Sequence, residues 1–235
     1  VSRKVVRLTV DHLAELGERG ERCASCLFWE LDPVRRERVP PERAAAEKEA
    51  WVSELLRDWG SCGRVVLVEG RPVGWAIYAP AAYVPGAAAF PTAPVSPDAV
   101  LLTTVHVDAE YAGGGLGRML IQGVARDLVQ RGGIAAVEAF ATTRPERRPV
   151  PGLPGLPGLA GCGCVVPAGF LGSVGFKTQR AHPLTPRMRM SLRAALTWRD
   201  EVEAAIGKLV GAVRPGPRTA RPPTPTRVGG ASRAS

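Results

Sequence analysis

No apolar run in this 235-residue chain approaches the roughly 20 residues that a bilayer-spanning helix needs, so no membrane span is expected. The first ten residues, VSRKVVRLTV, lack a long apolar core and a small-residue cleavage site. The expected compartment is the cytoplasm, where thiols stay reduced. Acidic residues are missing from residues 214–235, which carry five arginines. With the excess of two positive charges over residues 143–149, these irregular segments supply seven of the nine net positive charges. The rest of the chain is nearly balanced, so the charge defines no nucleic-acid face on a folded domain. The tail reads as a solvated, disordered extension with weak, salt-sensitive contacts to phosphates at most.

At 235 residues and 45% hydrophobic, the chain is long enough for one well-cored domain with some left over. Residues 4–10 read as a strand by their β-branched content. Asp11 is expected to cap a helical run through Leu31. Pro40 and Pro41 suit the start of a second helix, which ends at Gly60. Two β-like runs in RVVLVEGRPVGWAIYAP flank Glu69-Gly70-Arg71, a hairpin signal. Residues 79–98 are rich in Pro and Ala and read as loop. Residues 100–107 form a strand on which alternation puts Leu101, Thr103, Val105 and Val107 on one face. Leu102, Thr104, His106 and Asp108 take the other. Leu116, Leu120, Val124 and Leu128 recur at helical spacing and stop at Gly132-Gly133. Another strand covers 134–141, and a Pro/Gly-rich insertion covers about 143–161. A short helix ends at Gly175, a strand lies in RMRMSL, and a last amphipathic helix covers 195–212. Mixed strands around one strand–glycine turn–helix unit indicate an α/β or α+β domain.

The most informative stretch is Val105 to Leu120, VHVDAEYAGGGLGRML. Four of the five residues 113–117 are glycine. Without Cβ atoms the backbone N–H groups can approach an anion, and the helix that follows points its positive end there. The segment reads as a phosphate cradle. A Walker loop needs a lysine after its last glycine, and Arg118 stands there instead. A dinucleotide fingerprint needs GxGxxG, and this spacing does not supply it.

The segment resembles the GNAT superfamily of acetyl-CoA-dependent N-acyltransferases. The matching residues are Leu102-x-x-Val105-His106-Val107 and Tyr111-Ala112-Gly113-Gly114-Gly115-Leu116-Gly117-Arg118. Gly115 and Gly117 occupy the two small positions of the family motif Arg/Gln-x-x-Gly-x-Gly/Ala. AGFLGSVGF, Ala168 to Phe176, resembles the family's helix-then-Gly-Phe motif. VVLVEGRPVGWAIY resembles its second and third strands. The likeness covers roughly residues 3–192. It implies a mixed sheet that splays open in the middle, in a domain over residues 1–213. It implies acetyl-CoA as cosubstrate, its pantetheine pairing with Val105 and Val107 as an added strand. The pyrophosphate would rest on the N–H groups of Gly113, Gly114, Gly115, Leu116, Gly117 and Arg118. The implied reaction is direct attack of an amine on the thioester, which needs a neutral amine and therefore a base or a water relay. Small amines, peptide N-termini, protein lysines and aminoglycosides all remain open as acceptors.

Two family positions differ. Ala112 stands where Arg or Gln is usual. Leu171 stands where many members place a tyrosine that protonates the leaving thiolate. A non-catalytic acetyl-CoA-binding module with a basic interaction tail is therefore the alternative reading. His106 is a candidate general base or a partly buried structural histidine. Glu138, mid-strand among apolar neighbours and facing the same way as Ala136 and Phe140, is a candidate base or amine-recognition residue. Tyr111 is expected to pack at the strand end, and Asp108 and Glu110 to cap the glycine turn. Trp29 is expected in the core, and Glu30 beside it could hold a cationic acceptor. Cys23-x-x-Cys26 and Cys162-x-Cys164 can supply four thiolates to zinc, form a reversible thiol pair, or act as small buried hydrophobes.

Overall fold

The structure is a computed structural model that describes residues 2–18, 22–144 and 165–193. Eight strands form one mixed sheet: β1 (Arg3–Arg7), β2 (Gly63–Val68), β3 (Arg71–Ala79), β4 (Ala99–Val107), β5 (Ala136–Thr142), β6 (Val166–Pro167), β7 (Lys177–Arg180) and β8 (Arg187–Ser191). The order is β1-β2-β3-β4-β5-β8-β7, with β6 attached to β5. β1 to β4 form an antiparallel meander, while β4 and β5 run parallel. The mixed, splayed α/β sheet expected from the sequence is present.

Helices cover both faces. On one lie α1 (Val10–Glu18), α2 (Arg22–Ser25) and α4 (Ala44–Asp58), whose Leu13, Leu16, Val52 and Leu55 pack with Val65, Trp75, Ile77, Leu101 and Phe140. On the other lies α5 (Leu116–Arg131), and Leu116, Leu120, Val124 and Leu128 are all buried there, as their spacing predicts. The short α6 (Ala168–Ser173) joins this second core through Leu171.

Several expectations are corrected. The run from Asp11 to Leu31 is not one helix: α1 and α2 are separate elements. Thr9, not Asp11, caps α1; its Oγ1 accepts from His12 N–H at 3.4 Å, and Thr9 N–H donates to His12 Nδ1 at 3.2 Å. An additional helix, α3 (Pro33–Glu37), starts at Asp32, whose Oδ1 accepts from Val34 and Arg35 N–H at 3.0 Å. Strict alternation on β4 also fails. Ile77 pairs with Thr104 but Tyr78 with Leu102, so Thr103 is an extra residue in β4. Its hydroxyl donates to Ile77 C=O at 3.1 Å. The bulge moves Leu101 into the first core, while Leu102, Val105 and Val107 face the second. Residues 145–161 of the expected insertion, the helix over 195–212 and the tail lie outside the described residues. Among those described, no helix is long and apolar enough to cross a membrane.

Candidate active site

The site begins where two parallel strands part. β4 and β5 pair only over Ala99–Leu101 and Ala136–Glu138. Beyond that, β5 is joined by the two-residue β6, Ala141 opposite Val166. Asp108 N–H donates to Val73 C=O at 2.9 Å, which fixes the alternation of the β3–β4 ladder. His106 therefore turns its backbone groups toward β3, and Val105 and Val107 turn theirs toward the gap. The edge expected to pair with an extended ligand is aimed where β4 has no strand partner among the described residues.

The glycine turn closes the end of this edge. Residues Ala109–Tyr111 make a single 3-10 turn, and Ala112 is extended. Gly113 and Gly115 then take φ of 77° and 80°, a region that side-chain-bearing residues rarely adopt. Gly115 is the N-cap of α5, and the first intrahelical bond runs from Met119 N–H to Gly115 C=O at 3.1 Å. The N–H groups of Leu116 and Gly117 precede it and have no acceptor within the helix. A Cβ added at Gly113 or Gly115 would meet nothing within 4 Å, so there is room for an anion over the turn. A Cβ at Gly117 would lie 2.8 Å from the Phe170 ring, so this glycine lets α6 pack on α5.

Two arginines border the turn. Arg118 Nη2 donates to Ser173 C=O at 2.8 Å, which ties the start of α5 to the end of α6. Arg3, at the start of β1, donates from Nη1 to Gly114 C=O at 3.0 Å. Sequence reading does not find Arg3, because 111 residues separate it from the glycine. It brings a guanidinium to a turn whose own first motif position is Ala112.

His106 and Glu138 lie on the first-core face. His106 stacks on Trp75 with ring centroids 4.2 Å apart, and its Nε2 is 3.4 Å from Asp108 Oδ1. Asp108 therefore faces the imidazole and makes no side-chain cap on the turn that follows it. Glu138 is fully buried. Its Oε1 accepts from Arg189 Nη1 at 3.0 Å and its Oε2 from Ser96 N–H at 3.1 Å. Arg189 also grips Asp98 with two hydrogen bonds, at 2.9 and 2.7 Å, which holds the Asp98 carboxyl below its usual range. Trp29 is in the core as expected, stacked on Phe90 at 5.2 Å. Glu30 is buried against Lys48 of α4, and burial raises its pKa although the ammonium opposes that shift. Tyr111 packs against the second core, and Leu171 is fully buried within it.

Cys23 is buried and Cys26 half-buried. Cys162 and Cys164 lie outside the described residues. Among those described, no group of three or more metal-ligating side chains forms. Cys62 is buried as well, and burial pushes its thiol up to about 12.

The model of the Acetyltransferase (GNAT) family matches residues 25–149. The chain belongs to that family. No curated protein matches it in sequence. Similar solved structures include the PaiA N-acetyltransferase from Thermoplasma acidophilum in complex with coenzyme A, at 13% identity, covering 81% of this chain and 99% of that one with a TM-score of 0.49. An N-acetyltransferase from Staphylococcus aureus Mu50 is 14% identical over 82% of this chain and 99% of its own, with a TM-score of 0.49. The aminoglycoside acetyltransferase AAC(6')-Ib in complex with coenzyme A is 14% identical over 83% and 98%, also with a TM-score of 0.49.

Proposed function

We propose that this chain transfers the acetyl group of acetyl-CoA to an amine acceptor by direct attack on the thioester, within a domain spanning residues 1–213. One observation carries the reading. The outward backbone edge of Val105 and Val107 runs into the glycine turn, where Cβ positions at Gly113 and Gly115 meet open space and the Leu116 and Gly117 N–H groups have no acceptor within α5. The edge takes the pantetheine as an added strand, and the turn and first helical residues through Arg118 take the pyrophosphate. Arg3 adds a cation beside Gly114 in place of the side chain that Ala112 lacks.

The acceptor nitrogen attacks the thioester carbonyl, the C–S bond breaks, and the amine proton must leave. His106 takes that proton, and Asp108 at 3.4 Å orients and stabilises the imidazolium. Glu138, with both oxygens engaged, serves as an ionic anchor at the point where β4 and β5 part rather than as the base. The thiolate is protonated by solvent, since Leu171 offers no acid.

Thiol release from acetyl-CoA with a panel of amines tests this. Turnover is expected, and His106→Ala lowers kcat by roughly 100-fold with the KM for acetyl-CoA unchanged. An unchanged kcat removes His106 from the mechanism. Coenzyme A binding without turnover for any amine supports the second reading, a non-catalytic acetyl-CoA module, which Ala112 and Leu171 favour.

A further inference from the structure

Trp75 of β3 stands directly opposite His106 of β4, and both side chains rise from the first-core face of the sheet. Their rings stack, with centroids 4.2 Å apart and planes 24° from parallel. The indole is only 1% exposed and packed into the core, whereas the His106 side chain is 31% exposed. The closely packed ring therefore sets the plane of the more exposed one. β3 lies on the side of β4 away from β5, so the indole backs the imidazole on the side away from the gap. Asp108 Oδ1, 3.4 Å from Nε2, fixes how the ring turns within that plane. An Nε2–H facing the carboxylate leaves Nδ1 as the atom that accepts a proton.

We infer that Trp75 is a positioning residue for the proton transfer given to His106: it holds the imidazole with Nδ1 toward the reaction and stabilises the imidazolium that forms. In that step the acceptor N–H bond breaks, its electron pair stays on the nitrogen, and the proton forms the Nδ1–H bond. A cation lying on an aromatic face is attracted by the ring quadrupole, most strongly on tryptophan. The attraction grows as the proton arrives, so it lowers the barrier and leaves substrate binding as it was. This inference rests on the acetyl-transfer reading with His106 as its base.

NMR and a double-mutant cycle test it. The chain has three histidines, so the ring protons of His106 are assigned by their loss in His106→Ala. They are expected upfield of those of His12 and His182, shifted by the indole ring current, and to return downfield in Trp75→Leu. Trp75→Leu is expected to lower kcat about fivefold with the KM for acetyl-CoA unchanged, and Trp75→Phe, which keeps an aromatic face, to retain most of it. In a His106→Ala background Trp75→Leu is expected to cost nothing further. Unshifted His106 ring protons, full kcat in Trp75→Leu, or a loss that persists in the His106→Ala background overturns the inference. Should Trp75→Leu not fold, the ring-proton shift of the unaltered protein and the same cycle with Trp75→Phe decide. A His106→Ala variant with unchanged kcat, or no turnover with any amine, instead overturns the reading on which the inference rests.

Discussion

Gly115 turns the backbone left-handed, and the next residue begins α5. Any side chain there is strained, and a carboxylate would also stand among the N–H groups that would hold a pyrophosphate. Gly115→Glu is expected to abolish coenzyme A binding by calorimetry. Arg3→Ala removes an exposed cation beside the same turn and is expected to weaken binding by roughly 0.5–1 kcal/mol, about two- to fivefold. Retained affinity in Gly115→Glu, or no change in Arg3→Ala, would detach that residue from the ligand. The two differ in how they can be found. Glycine clustering is local and visible in the sequence, whereas Arg3 reaches Gly114 only because β1 lies beside the turn. Glu138 falls between these cases. Alternation shows its face and predicts that it needs a partner, but Arg189 and Ser96 become its partners only through β8 and the loop before β4.

Among the elements, the one-residue bulge at Thr103 has the largest effect. It turns Val105 and Val107 away from the face of Leu101, and no pattern in VLLTTVHV announces it, because a bulge is a property of the pairing with β3. Asp32-Pro33 does carry a local start signal for α3, although five residues give no periodicity to read. The segment after α2 is fastened to α4 by Glu30 and Lys48, and Lys48 Nζ also donates to Cys26 C=O at 3.1 Å. Lys48→Met would leave Glu30 buried without its cation, a change that costs about 3–5 kcal/mol. Burial already raises the Glu30 pKa, and loss of Lys48 raises it further. The folded state then holds that proton more tightly than the unfolded chain. The associated stability is fully present below the unfolded pKa and is lost as pH rises through the folded one. Urea denaturation should therefore show a deficit that is largest at neutral pH and shrinks on acidification. A deficit independent of pH would contradict the pairing.

At the scale of the molecule, a meander of four antiparallel strands meets a parallel neighbour that pairs for three residues and then departs. The helices on each face pack against the sheet through two separate hydrophobic cores. The long strands and helices, β1 to β5, α4 and α5, are legible in the sequence, because hydrophobic periodicity and Gly/Pro punctuation are local; the short α2, α3 and β6 are not. The acceptor side is less legible, because it is built from contacts between loops and strands that are distant in the chain. The central claim is that coenzyme A lies along β4 and over the glycine turn. Amide hydrogen exchange with and without coenzyme A tests it residue by residue. Slowed exchange is predicted at Val105, Val107, Gly113, Gly115, Leu116 and Gly117. Unchanged exchange at these amides when coenzyme A is bound would contradict the claim.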